Sequence, residues 1–176
     1  MDREPLFVDW EARIDRWGFT NVAVSGGDEP DYVYTAGLFH LAHPEFVIVG
    51  APRQLAHEFL WDLASAVARS GRRFEHGMAV NRLAVDPMGI VTADRRPDDL
   101  VAVADRLRER AGFDGPSDVL QVIFSDDDGE LPWGRPVDHL GLPIFTHPGP
   151  VTVVEVDLPD RATRDADGWY PEDPPA

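Results

Sequence analysis

The sequence predicts an α+β fold: a mostly antiparallel sheet of five to seven strands, two long helices packed on it, and an N-terminal helix. Three observations carry that reading. Short β-branched and aromatic runs recur between glycine and proline breaks, as in Tyr32-Val-Tyr-Thr-Ala36 and Phe46-Val-Ile-Val49. Two stretches repeat apolar residues at helical spacing, Leu55, Phe59, Leu63 and Val67, then Leu100, Val103, Leu107 and Ala111. A third stripe, Phe7, Trp10, Ile14 and Trp17, opens the chain and ends at Gly18.

The elements follow in order. After the first helix, Phe19 to Ser25 alternates into a strand, and Gly26 to Pro30 turns the chain. Tyr32 to Ala36 and Phe46 to Val49 are the next two strands, joined by a loop from Leu38 to His43. Pro44 has no amide hydrogen and belongs at or before the strand start. Pro52 starts the second helix, and Gly71 stops it with Arg69 in its last turn. Val80 to Val85 reads as a strand, Asp86 to Gly89 as a turn, and Ile90 to Thr92 as a short strand. Pro97 opens the third helix, with Asp98 and Asp99 in its first turn and arginines near its end, in line with the helix dipole. Val119 to Phe124 is an apolar strand interrupted by Gln121, and Asp126 to Gly129 is a turn. Gly134 to Pro150 reads as an irregular arm. Val151 to Leu158 alternates into a last strand, at a sheet edge or paired with another chain. One domain over 1–158 and a disordered acidic tail over 159–176 complete the expected organisation.

Composition narrows the function. The chain has 176 residues and a net charge of −16, which disfavours nucleic acid and anionic membrane as partners. It has no lysine, which removes Schiff-base and P-loop chemistry. It has no cysteine, which removes disulfides and thiolate chemistry and fits a cytoplasmic setting. No run is apolar and long enough for a membrane span.

The best site candidate is the loop carrying His40, His43 and Glu45. Pro44 pushes His43 toward extended backbone. In an extended segment His43 and Glu45 project on one side, so the carboxylate can orient the imidazole. The bland alternative is a turn-capping histidine beside a solvated charge. His40 and His43 alone are too few ligands for zinc, so no metal and no cofactor are expected. Tyr34, Thr35, Gly37, His40, Gln121 and Trp133 are the candidate ligand contacts. Trp133 either closes one side of the histidine loop or fills the core.

Several stretches together, Tyr34-Thr-x-Gly-Leu, His43-Pro-Glu45, Asp62-Leu-Ala64 and Asp128-Gly-x-Leu-Pro-Trp133, resemble the bacterial domain of unknown function family 4262. The likeness spans about Gly18 to His147. Phe124-Ser-Asp stands where the family has a valine or tryptophan, then Pro-Asp. The resemblance implies a small intracellular bacterial domain, often standing alone, with no activity to carry over. The residues leave two readings open. The first is an accessory module that binds a small molecule or a protein segment near the His-Pro-Glu loop, with a homodimer through 151–158 as a further expectation. The second is a small hydrolase- or isomerase-type enzyme with His43 as general base oriented by Glu45. No nucleophile or oxyanion motif accompanies the histidine, which favours the module. On either reading, His43→Ala is expected to spare the fold.

Overall fold

The structure is a computed structural model that describes residues 4–25, 30–94, 97–126, 128–131, 133, 153–159 and 163. The arm at 134–150 and nearly all of the tail at 159–176 therefore lie outside the described residues. A seven-stranded sheet forms the centre, with strand order β1-β2-β3-β6-β5-β4-β7. Its strands are β1 (Thr20–Val24), β2 (Tyr32–Ala36), β3 (Glu45–Val49), β4 (Met78–Asn81), β5 (Met88–Thr92), β6 (Val119–Phe124) and β7 (Val154–Asp157). The helices are α1 (Glu4–Trp17), α2 (Arg53–Ser70) and α3 (Ala102–Arg110). None of the described helices is long and apolar enough to cross a membrane.

The α+β class holds, but the sheet is mixed rather than mostly antiparallel. β3 pairs in parallel with β6, and β4 in parallel with β7. The remaining neighbours are antiparallel. The parallel contact follows from connection length. Between β3 and β6 the chain passes through α2, β4, β5 and α3, which returns it to the same end of the sheet.

Each face of the sheet has its own apolar core. On one face, Phe46 and Ile48 of β3, Ile90 of β5 and Leu120 and Val122 of β6 meet Phe59, Leu60, Leu63 and Val67 of α2. On the other, Val22, Tyr34, Val47 and Val49 meet Ile14 of α1 and Leu100, Ala104 and Leu107 near α3. All five residues of β3 are buried: the apolar run Phe46 to Val49, as expected between two helix layers, and Glu45 at its start. The Arg110 guanidinium ties α3 to α1 through Glu11 at 2.7 Å and Glu4 at 3.0 Å.

Helix ends follow local chemistry where it is strong. Pro52 is the N-cap of α2, and Gly71 at φ 64 accepts its left-handed stop. α3 begins later than expected. Pro97 to Val101 form a turn first, and Leu100 N–H bonds to Pro97 O at 3.1 Å. The strand expected at Val80 to Val85 lies instead at 78–81, because Arg82 takes φ 65 and breaks the extended run. Asp126 organises the turn after β6. Its carboxylate accepts from the N–H of Glu130 at 2.8 Å and of Asp128 at 3.1 Å.

Trp133 packs on the sheet at Gly89. A Cβ added there would lie 2.9 Å from Ile123 Cγ1 and 3.0 Å from the Trp133 ring. Gly89→Ala is therefore expected to cost about 1–3 kcal/mol and to alter tryptophan fluorescence, both read in urea titrations. Unchanged fluorescence and stability would show that the ring does not rest there.

Candidate functional site

The loop between β2 and β3 is a single 3-10 turn, Leu38–Leu41, closed by Ala42 at φ 51. It is held from inside by Glu45, which is 1% exposed. The Glu45 carboxylate accepts from the Thr35 hydroxyl at 2.7 Å, Gly37 N–H at 2.9 Å and Phe39 N–H at 3.3 Å. Thr35 Oγ1 in turn accepts from Phe46 N–H at 2.8 Å. Only glycine suits position 37. Its φ is 116, and a Cβ would sit 2.8 Å from Ile14 Cγ1. Three donors favour the ionised carboxylate, but burial opposes it more strongly and pushes the Glu45 pKa up to about 7.

His43 belongs to a second network. Its Nε2 accepts from Phe74 N–H at 3.1 Å, so Nδ1 carries the hydrogen and donates to Pro44 O at 2.6 Å. The ring lies 5.1 Å from Phe46 and 6.1 Å from Phe74, edge-on to the latter. Burial is the main cause of a lowered His43 pKa, so the neutral ring is favoured. No hydrogen bond joins His43 to Glu45. Proximity in sequence thus leads to two separate duties. Glu45 fixes the turn, and His43 fixes the backbone that leads into β4.

Tyr34 and Thr35 stand side by side on β2 but serve different layers. Tyr34 accepts from Val103 N–H at 3.2 Å, toward α3, whereas Thr35 joins the Glu45 network. His40 is exposed and rests its ring 4.3 Å from Phe39 and 5.6 Å from Phe113. Gln121 is buried in mid-β6, paired in register with Val47 of β3 and Val91 of β5. Trp133 lies over β5, which β3 and β6 separate from β2 by roughly 14 Å. Trp133 is half-buried, with its ring against Gly89 of β5.

Around the loop opens a cleft of about 280 Å³, at the N-terminal ends of the parallel pair β3 and β6. Phe39, Ala42, His43, Arg108, Phe113 and Asp118 are among its walls. Arg108 is fixed over the two phenylalanines, 5.2 Å from the Phe113 ring and 5.9 Å from Phe39. Its Nε and Nη2 donate to the carbonyls of Gly115 and Asp114 at 3.2 and 3.3 Å. A wider hollow of about 600 Å³ adjoins it across Pro44, Ser117 and Asp118. Among the described residues, no group of histidines and carboxylates is arranged to hold a metal ion.

Phe74, Arg73, Arg108, Phe113 and Asp118 were not among the candidates from sequence. Arg73 donates to Leu41 O at 3.0 Å, and Asp118 O accepts from Glu45 N–H at 2.8 Å. No local signal marks them. They reach the loop because the end of α3 and the segments that lead into β4 and β6 converge on it.

The family model described as Domain of unknown function (DUF4262) matches residues 13–138. That span takes in α2, α3 and β1 to β6, with the loop and both its networks, and stops before β7. Comparison with curated proteins and with solved structures yields no match.

Proposed function

The chain belongs to the DUF4262 family, and from that premise we propose that it is a binding module whose site is the cleft beside the histidine loop. The cleft itself is the observation that carries this reading. It has an apolar wall of Phe39 and Phe113, a guanidinium held rigidly over that wall, and Asp118 across the opening. Rigid walls with few polar groups favour binding of a compact, partly apolar small molecule or side chain. The networks of Glu45 and His43 support the reading from behind, since they immobilise the wall before any ligand arrives. The absence of cysteine is compatible with a reducing, cytoplasmic setting.

The enzyme alternative draws less support. A general base needs an open lone pair near substrate. The only acceptor nitrogen of His43 is occupied by Phe74 N–H, and Glu45 faces backbone donors.

A thermal-shift screen of small molecules tests the module reading, with Phe113→Ala as the control. Phe113 is 39% exposed, so its loss should leave the fold intact. A ligand at one hundred times its Kd should stabilise the native chain by about 2.7 kcal/mol. In Phe113→Ala the affinity should fall at least roughly tenfold, as on loss of an aromatic anchor, which lowers that gain by about 1.4 kcal/mol. Ligands that bind both proteins equally would place the site elsewhere.

A further inference from the structure

β7 stands apart from the rest of the sheet. The family match ends at residue 138, before this strand begins. β7 pairs with β4 alone, at the sheet edge, in the register Met78↔Val154 to Asn81↔Asp157. Its specific contacts gather at its C-terminal end. Asp157 Oδ1 accepts from Asn81 Nδ2 at 3.1 Å, and Oδ2 lies 3.4 Å from Arg82 Nη2. Arg72 Nη1 donates to Asp157 O at 3.1 Å. Leu158 is fully buried in the α2-side core. Val153 and Val154 are 41% and 50% exposed. The β4 edge thus reads one short extended segment: an acidic residue followed by an aliphatic one that enters the core.

These contacts are indifferent to which copy of the chain supplies the strand. Nineteen residues, 134–152, lie between Trp133, which rests on β5, and Val153, and fully extended they can span on the order of 60 Å. That length is enough to reach the β4 edge of a second molecule. The sequence known to fit the edge is the chain's own.

We propose that two copies of this chain exchange β7 reciprocally, each placing Val154 to Leu158 on the β4 edge of the other, to give a two-fold dimer. Exchange of an identical element is a low-cost route to a dimer, because every contact of the closed monomer is remade in it. The closed monomer holds its strand at high effective concentration, so the dimer gains ground only as protein concentration rises. Each chain carries a charge of −16, and salt that screens this repulsion favours the dimer.

Complementary charge reversal tests the exchange. Asp157→Arg places like charges on its own Arg82, and Arg82→Asp does the same to its own Asp157. In a mixed dimer both contacts become opposite in sign. The mixture at high concentration should contain at least roughly tenfold more dimer than either variant alone, measured by sedimentation. A mixture that stays monomeric while each variant is folded overturns the proposal. So does dimerisation of Asp157→Arg alone to the same extent, since β7 would then not be the joining element. Native-state hydrogen exchange on the unaltered chain covers the case in which a variant fails to fold. The amides of Val154 and Leu158, bonded to Gly77 O and Asn81 O, should exchange through an opening that leaves β6 protected. Protection equal to that of β6 would mean that β7 leaves only on global unfolding, and would overturn exchange between native copies.

Discussion

Glu45→Ala is expected to cost about 3–5 kcal/mol in chemical denaturation. The substitution removes the acceptor for three buried donors and leaves a void where the carboxylate stood. Unsatisfied buried N–H groups cost about 1–3 kcal/mol each, and relaxation of the turn recovers part of that. Glu45→Gln separates shape from charge. The amide oxygen can keep the bonds to Gly37 and Phe39, but the amide nitrogen must donate to Thr35 Oγ1, which forces that hydroxyl to turn. The cost at neutral pH should therefore be smaller than that of alanine.

The pH dependence differs as well. With its pKa raised to about 7 in the fold against 4.5 unfolded, Glu45 holds a proton in the native state where the unfolded chain has lost it. Its contribution is fully present below pH 4.5 and is lost as pH rises through about 7. Across that window the native chain should lose on the order of 3 kcal/mol relative to the glutamine variant. Parallel stability curves for the two proteins would show that the carboxylate titrates as it does in water.

What the sequence made legible follows how far each signal reaches. The buried run of β3, the limits of α2 at Pro52 and Gly71, and the stop of α1 at Gly18 are written in adjacent residues. The break at Arg82 is not, because a left-handed arginine is imposed by its surroundings. The parallel contact of β3 with β6 is set by everything between them, which no turn signal records. The loop was found as a candidate because histidine, proline and a carboxylate crowd there. The duty of each side chain was not legible. Glu45 looks like a strand-start charge or an orienting acid, and only the fold shows that Gly37 and Phe39 turn their N–H groups onto it. The cleft is still less local. Its walls come from the loop, from the end of α3, and from the approach to β6, segments far apart in sequence.

His43→Ala is expected to destabilise the fold by about 2–4 kcal/mol, contrary to the mild effect the sequence suggests. A histidine on a loop is normally tolerant of truncation, but this one is 4% exposed and spans two segments. Its removal leaves Phe74 N–H without an acceptor and opens a space beside Phe46 and Phe74. His43→Gln can restore an acceptor near Phe74 N–H and should recover part of the loss. The pH signature again identifies the group. A lowered native pKa means that the unfolded chain takes up a proton that the fold refuses, so stability contributed by neutral His43 is lost as pH falls below 6.5. That slope is opposite in sign to the one from Glu45 over the overlapping range. His43→Ala should therefore remove an acid-side loss of stability, while Glu45→Gln removes an acid-side gain. A His43→Ala protein of native stability, with an unchanged slope below pH 6.5, would mean that the imidazole stands free of Phe74 and open to a substrate, as the enzyme reading requires.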